Sequence, residues 1–254
     1  MAPLHPHRDD SKGINIGHYS HSTAYKAPAV PPHIDRLSDA ELVKLYDHSP
    51  QVHPDYSVHR LSPGTNAKPS EDRTEDTPVC FEANALDIVF TATTIPVPRV
   101  GRVARGEWDF LIAMDYIDGP LLAQVWPTLS IWRKLCVAFT LRRYIRQPRC
   151  FTQAPAGAPR ICESSVFGDV VPCRGPFASY AQMTAFFSER YHMSLDLHNV
   201  TKDRPARKDL FDDSEPLVLC LQDLNLRNIT VGEGGRLWLI DWGWSGYYLH
   251  ASSM

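Results

Sequence analysis

Three polar residues near the carboxyl-terminal end of the chain have side chains that could bind a metal ion and handle a proton. Asn228 and Asp241 offer an amide oxygen and a carboxylate. This is a sparse set of hard ligands, suited to Mg²⁺ that keeps waters and takes its remaining ligands from phosphates. Asp223 precedes Asn228 in the pattern D-x-x-x-x-N, and it can orient a hydroxyl group or accept its proton without binding the metal.

A predicted hairpin brings these residues together. Residues 229–231 and 236–240 have the composition of strands, and the turn Gly232-Glu233-Gly234-Gly235 makes them antiparallel. Asn228 and Asp241 then lie side by side at the open end, where we expect their oxygens to converge. Asp223 lies in a loop that begins where a strand over residues 217–221 ends, so its carboxylate can face the same place. The alternative is an ordinary hairpin in which Asp and Asn cap turns.

The pattern D-x-x-x-x-N with a later aspartate is the spacing of the protein-kinase catalytic loop and its metal-binding aspartate. The run LCLQDLNLRNITVGEGGRLWLIDWGWSGYY resembles the catalytic segment of the aminoglycoside phosphotransferase family, especially its divergent fungal members. The resemblance implies that Asp223 is the catalytic base and that Asn228 and Asp241 are the magnesium ligands. Asp241-Trp242-Gly243 stands where protein kinases carry D-F-G. The family usually has histidine two residues before the base, whereas this chain has Leu221, a departure that bears on support of the loop.

A second pair of charged residues fits the nucleotide end of such a site. A helix is predicted from Thr77-Pro78 to about Phe90, and Glu82 shares its apolar face, so a buried Glu82 needs a cationic partner. Lys68, on the preceding strand-like piece, is the natural partner. The run VHRLSPGTNAKPSEDRTEDTPVCFEANALDIVFTATTIPVPRV resembles the family's strand, lysine, helix and I-P-V-P-R sequence, which implies that Lys68 contacts the ATP phosphates. Alternatively, Lys68 is a solvated loop residue and Glu82 reaches water.

The run DFLIAMDYIDGP resembles the strand and hinge that join the two lobes in this family. The resemblance implies that backbone groups of Asp115, Tyr116 and Ile117 contact adenine. A buried strand followed by a turn is equally compatible with these residues. No G-x-G-x-x-G loop precedes Lys68, so the sequence does not predict a glycine loop over the phosphates.

The remaining elements follow from caps, turns and periodicity. Ser38 and Glu41 form a capping box that opens a helix. Strands are predicted over residues 57–61, 66–68 (before Pro69) and 109–117, and residues 95–98 must be extended because of their prolines. Helices are predicted over residues 121–125, around the stripe Trp132, Leu135, Cys136 and Phe139, and after Ser179. Arg142, Arg143, Arg146 and Arg149 are predicted to be solvated, and Trp238, Trp242 and Trp244 to pack in a core.

Composition excludes several classes of protein. The 254 residues carry a net charge of −3, so no overall basic field favours nucleic acid or an anionic membrane. No apolar run approaches the length of about 20 residues that spans a bilayer. The six cysteines are irregularly spaced, which indicates free thiols in a reducing compartment. We therefore expect a soluble cytoplasmic protein that binds neither nucleic acid nor membrane.

The order of elements predicts an α+β protein of two lobes, and the resemblance implies the protein-kinase-like fold. Residues 1–36 are predicted to be a flexible leader, residues 37–117 a nucleotide-binding N-lobe, and residues 118–254 a mainly helical C-lobe. Because the family usually continues with several more helices after this point, the C-lobe reads as truncated at Met254.

The expected function is transfer of the γ-phosphoryl group of ATP, with Mg²⁺, to a hydroxyl of an unidentified small molecule. Its partners are then the nucleotide and that acceptor. Two alternatives stay open. One is a catalytically degenerate kinase-like nucleotide-binding or scaffold module, and the other is the product of an incomplete gene model.

Overall fold

A computed structural model of the chain describes residues 34–53, 56–70, 80–106, 110–148, 162–163, 173–174, 180–197 and 218–248. Most of the predicted leader, and the predicted helix start at Thr77-Pro78, lie outside these ranges. Ile34, which the sequence assigned to the leader, is fully buried beside Leu42. Packed structure therefore begins earlier than residue 37.

The first part of the chain forms a five-stranded antiparallel sheet, together with helices that pack on it. Its strands are β1 (Gln51–His53), β2 (Tyr56–Ser62), β3 (Thr65–Ser70), β4 (Val100–Arg105) and β5 (Phe110–Asp115), in the order β1-β2-β3-β5-β4. The α+β class is confirmed at this level. The predicted return strand is longer than expected, because it runs through Pro69, which pairs only with Leu111 of β5. Pro69 lies beyond the paired part of β2, where its missing amide removes no ladder bond.

Helices cover both faces of this sheet, and the alternation along β5 decides which residues face which helix. Leu111 and Ala113 pack with the residues beneath α1 (Asp39–His48), whereas Ile112 and Met114 pack with those beneath α2 (Phe81–Ala92). The capping box predicted at the start of α1 is present. The predicted start of α2 is wrong by three residues, because Cys80 is still extended and the helix begins at Phe81.

The described residues after β5 form three α-helices and three short strand pairs. The helices are α3 (Leu122–Val125), α4 (Ile131–Arg146) and α5 (Tyr180–Leu197). The strand pairs are β6 (Cys162–Glu163) with β7 (Cys173–Arg174), β8 (Val218–Cys220) with β11 (Gly246–Tyr248), and β9 (Ile229–Val231) with β10 (Leu237–Leu239). The hairpin predicted from the turn at residues 232–235 is confirmed as β9 and β10, in antiparallel register.

Helix α4 is present, but its predicted apolar stripe faces outward. Trp132 and Phe139 are 74% and 65% exposed, and Leu135 is 41% exposed. The buried side of the helix carries Val137 and Tyr144 instead. Periodicity identified the helix correctly but selected the wrong face, since two apolar stripes run along it.

Other side-chain predictions divide in a similar way. Arg142, Arg143 and Arg146 are exposed as predicted, and Arg149 lies outside the described residues. Trp238 and Trp242 are buried in the core, but Trp244 is 39% exposed, so its assignment to the core is wrong.

Cys80, Cys136 and Cys220 are free thiols, and the side chains of the other three cysteines are not described. No helix in the described ranges combines the length and the apolar character needed to cross a membrane.

A close backbone contact joins the segment after β5 to the hairpin of β9 and β10. Gly119 has a φ of +147°, and a Cβ at this position would lie 2.2 Å from the carbonyl oxygen of Val231. The Val231 amide donates to the carbonyl of Pro120 at 2.9 Å. Only glycine fits this approach, since any side chain would have to occupy the space of the Val231 carbonyl.

Candidate functional site

Lys68 joins three separate parts of the chain. Its Nζ lies 2.7 Å from Glu82 Oε1 and 3.0 Å from Asp241 Oδ1. Lys68 is on β3 opposite Ile112 of β5, Glu82 is in the first turn of α2, and Asp241 follows β10. The ion pair predicted between Lys68 and Glu82 is therefore present, and Asp241 is its additional member.

Burial opposes the charge on all three side chains. Glu82 is 2% exposed, and this burial raises the pKa of its carboxyl although Lys68 lies beside it. Burial also disfavours the Lys68 ammonium, but Glu82 and Asp241 outweigh it and raise the pKa of Lys68. Asp241 keeps 43% of its side chain exposed; burial works against its ionisation, yet the Lys68 ammonium holds the pKa of this carboxyl below its usual range. Lys68 and Asp241 are thus ionised at neutral pH.

The turn after β10 is tied to the same group by backbone amides. The Trp242 amide donates to Glu82 Oε1 at 3.2 Å, and the Gly243 amide donates to Asp241 Oδ1 at 3.3 Å. The Trp242 side chain is fully buried, and its indole nitrogen donates to the Leu239 carbonyl at 3.3 Å. These bonds fix the direction of the chain at Asp241, and so they position its carboxylate.

A second group of contacts joins Asp223 to Asn228. Asn228 Nδ2 donates to Asp223 Oδ2 at 2.9 Å and to the Asp223 carbonyl at 3.2 Å. Because the amide nitrogen is used in this way, Asn228 Oδ1 points away from Asp223 and remains available as an acceptor. The loop between them closes in a 3₁₀ turn, Leu226–Asn228, in which the Asn225 side chain accepts from the Arg227 amide.

The hairpin places Asn228 and Asp241 at the same end, as the sequence predicted. The Ile240 amide donates to the Asn228 carbonyl at 3.0 Å, and Asp241 is the next residue along the chain. No contact of Asp223 or Asn228 with the Lys68 group is recorded in the described part of the chain. Within those same ranges, no three His, Cys, Asp or Glu side chains gather to hold a metal ion. A metal here would depend on the Asn228 amide oxygen and on ligands from outside the protein.

Of the backbone groups predicted to contact adenine, two of the three amides already donate to carbonyls of residues that adjoin the sheet strands. The Asp115 amide donates to the Arg99 carbonyl at 3.0 Å, and the Tyr116 amide donates to the Gly64 carbonyl at 2.9 Å. The Ile117 amide makes no hydrogen bond with any described residue. Among the amides of Asp115, Tyr116 and Ile117, only that of Ile117 is therefore open to a ligand.

The Asp115 carboxyl group was not anticipated. It is 2% exposed, its Oδ2 accepts from the Arg99 amide at 3.3 Å, and its Oδ1 has no hydrogen-bond partner in the described residues. Burial raises the pKa of Asp115, although the Arg99 amide opposes the rise. An apolar run ending in one acidic residue was the only signal in the sequence, and it does not tell which way that residue points.

An apolar cavity lies against residues 221–224. Its volume is about 100 Å³, and its walls include Leu221, Leu224, Leu239 and Trp242. Leu221, where a histidine would complete the resemblance, is therefore part of a hydrophobic wall. The sequence analysis also did not predict the hydrogen bond from the Trp242 amide to Glu82. The spacing D-x-G after a strand indicates only that the turn is ordered.

Comparison with known proteins adds no assignment to this geometry: no protein-family model and no curated protein matches the chain. The interpretation of the site depends on its residues and their contacts. Those contacts form two groups, one around Lys68 and one around Asp223.

Proposed function

We propose that the chain is an ATP-dependent phosphotransferase of the protein-kinase-like fold, related to aminoglycoside phosphotransferases, that phosphorylates a hydroxyl group of a small molecule. The observation that carries the proposal is the position of Lys68, 2.7 Å from Glu82 and 3.0 Å from Asp241. Protein kinases need a lysine on the third strand paired with a glutamate on the following helix, and an aspartate that holds Mg²⁺. The sheet order, with α2 inserted between β3 and β4, supports the same fold.

Lys68 is suited to bind phosphate oxygens of ATP. Its ammonium is held by Glu82 from one side, and its pKa is raised by the surrounding carboxylates, so it keeps its positive charge. Lys68 remains 18% exposed while Glu82 is almost fully buried. The carboxylate thus orients the lysine, and the lysine reaches the solvent side where phosphates would lie.

Asn228 and Asp241 form a donor set that fits Mg²⁺. One amide oxygen turned away from Asp223 and one ionised, partly exposed carboxylate are hard ligands at the same hairpin end. Mg²⁺ accepts such a sparse set because it retains waters and binds phosphates. When bound, Mg²⁺ and ATP supply charge neutralisation and the group to be transferred.

Asp223 is placed to handle the proton of the acceptor hydroxyl. Its Oδ2 accepts from Asn228 Nδ2, which leaves Oδ1 to accept the hydroxyl hydrogen and orient the attacking oxygen. The Asn228 bond holds the carboxylate in one rotamer, and positioning of this kind provides most of the catalysis in phosphoryl transfer. The Ile117 amide, open in the described structure, is the group proposed to meet adenine.

The test is phosphoryl transfer by the purified full chain. With Mg²⁺ and ATP, transfer to members of a panel of hydroxyl compounds should fall by about 10²–10⁴-fold in Asp223→Asn, since the proton acceptor is lost. Asp47→Asn, on the exposed face of α1, is the matched control and should retain the wild-type rate. Equal rates for Asp223→Asn and the wild type, or transfer that persists without divalent metal, would contradict the proposal.

A second function is favoured by the surroundings of Leu221. Its side chain lines an apolar cavity, so the loop lacks the polar support that a histidine gives. A nucleotide-binding module without turnover would bind Mg-ATP through Lys68 and Asp241 but transfer nothing. Thermal stabilisation by Mg-ATP that is lost in Lys68→Met, with no transfer to any hydroxyl compound, would select this alternative.

A further inference from the structure

The cavity beside residues 221–224 is lined by several parts of the chain. They include Tyr144 and Ile145 at the end of α4, Leu239 of β10 with Trp242 in the turn after it, and Leu221 and Leu224 from the segment that contains Asp223. No charged side chain is among the described residues that line it. Its volume of about 100 Å³ is of the same order as the cavity of about 150 Å³ that stays dry and binds benzene.

We propose that this cavity is a binding site for a small, neutral, apolar molecule about the size of one aromatic ring. The site uses neither the Lys68 group nor the Asp223 carboxylate. Its described walls offer dispersion contacts, and none of the side chains that form them carries a charge that could neutralise a charged ligand. A helix or peptide strand is too large for this volume, so the occupant is a small molecule rather than a protein partner.

Access to the cavity is through its loop side. Leu224 is 38% exposed, whereas Leu219, Leu239 and Trp242 are almost fully buried. Leu224 therefore lies at the boundary between the cavity and solvent, and we expect a ligand to enter past it. The buried walls belong to the main hydrophobic core.

Occupancy of the cavity acts on Asp223 through its neighbours in the chain. Leu221 and Leu224 lie on either side of Asp223 in sequence, and both contribute to the wall. A ligand that packs against both leucines restricts the backbone between them, because each leucine loses freedom on contact. We therefore expect the bound molecule to order the Asp223–Asn228 loop without touching its polar groups.

The test uses the full chain with toluene and indole as probes and benzoate as a charged counterpart. Ligand-observed NMR should show saturable binding of toluene and indole, and binding of benzoate should be at least about tenfold weaker because its charge would be desolvated. In ¹⁵N spectra of the same samples, the amide signals of Leu221 and Asp223 should shift with ring occupancy.

Two variants localise the binding. Leu224→Trp places a larger side chain at a partly exposed position of the wall, and should weaken binding by at least about tenfold while the ¹⁵N spectrum remains that of a folded chain. Leu135→Trp makes the same kind of change on the outward face of α4 and should leave it unchanged. Unaltered binding in Leu224→Trp, or no saturable binding to the wild type, overturns the proposal. Since neither readout needs ATP, failure here is distinct from failure of phosphoryl transfer.

Discussion

The two halves of the candidate site are built in different ways. The Lys68 group joins β3, α2 and the turn after β10, and Asp241 follows Lys68 by 173 positions in the sequence. The Asp223 group is local, since Asn228 lies only five positions away. One group exists only when the sheet, the helix and the hairpin pack together, whereas the other is closed by hydrogen bonds within a short loop.

We therefore expect mutations in the two groups to affect the molecule differently. Loss of an ion pair that contains a buried Glu82 should affect the stability of the whole molecule, because an unpaired charge in the interior is costly wherever it lies. Loss of a loop hydrogen bond should affect local order more than global stability. Catalysis would need both, because it requires a fixed charge at the phosphates and a fixed proton acceptor.

The largest effect on stability is expected when the cation of the Lys68 group is removed. Lys68→Met leaves Glu82 buried without its partner, and we expect a loss of about 3–5 kcal/mol in the free energy of unfolding, measured with urea. Adding Glu82→Gln should recover part of the loss, because the uncompensated carboxylate is removed. Lys44→Met, on exposed α1 surface, is the control and should change stability by no more than about 0.5 kcal/mol. A loss in Lys68→Met as small as in this control would mean that the ion pair is energetically unimportant.

A smaller effect is expected from the local group. Asn228→Ala removes two hydrogen bonds to Asp223 and should lower stability by about 1–2 kcal/mol. Hydrogen exchange should speed up most in residues 223–228 and little in β3 or α2. Asn84→Ala, at an exposed position of α2, should show no such loss. If exchange rises across the whole sheet instead, the loop is not a separate local unit.

The smallest effect concerns Asp115, a buried carboxyl that accepts from one backbone amide and whose charge the Arg99 guanidinium offsets less than burial opposes it. Its pKa is raised in the folded state, so ionisation reduces stability as the pH rises above the usual carboxyl value of 3.8. Asp115→Asn should therefore gain up to about 1 kcal/mol at neutral pH, and the gain should vanish in acid.

Substitution of Asp39 should change the free energy of unfolding in the opposite direction. The Arg105 amide and the Arg102 guanidinium hold the pKa of Asp39 below its usual range. Asp39→Asn should accordingly lower stability at neutral pH, with a penalty that shrinks as the pH falls below 3.8. Urea unfolding at several pH values measures the change in the free energy of unfolding for both variants and shows whether the two changes are opposite. A gain for Asp115→Asn that does not depend on pH would exclude ionisation as its cause.

The local features of the site were predictable from sequence. The glycine-rich turn fixed the hairpin of β9 and β10, and the position of Glu82 on an apolar helix face called for a cation such as Lys68. Both inferences use only the period of one element and the chemistry of a few neighbours. The assignments of Asp223 as base and of Asn228 and Asp241 as magnesium ligands stay predictions.

Features that depend on which elements meet in space were not predictable. Helix α4 has apolar residues on two sides, so its pattern cannot decide between Val137, which is buried, and Trp132, which is exposed. The pairing of β8 with β11 and the burial of the Asp115 carboxyl likewise depend on packing partners remote in sequence. Periodicity describes an element, but burial is a property of the assembled fold.

Gly119 has a consequence for recognising distant relatives of this chain. The contact between its backbone and the Val231 carbonyl admits no side chain, so a related sequence that joins the sheet to the hairpin in this way must have glycine here. Evolutionary drift can exchange most of the surrounding surface, but it cannot exchange this hydrogen atom for a methyl group. Position 119 is therefore a sequence marker for the shared architecture, independent of whether Asp223, Asn228 and Asp241 have been retained.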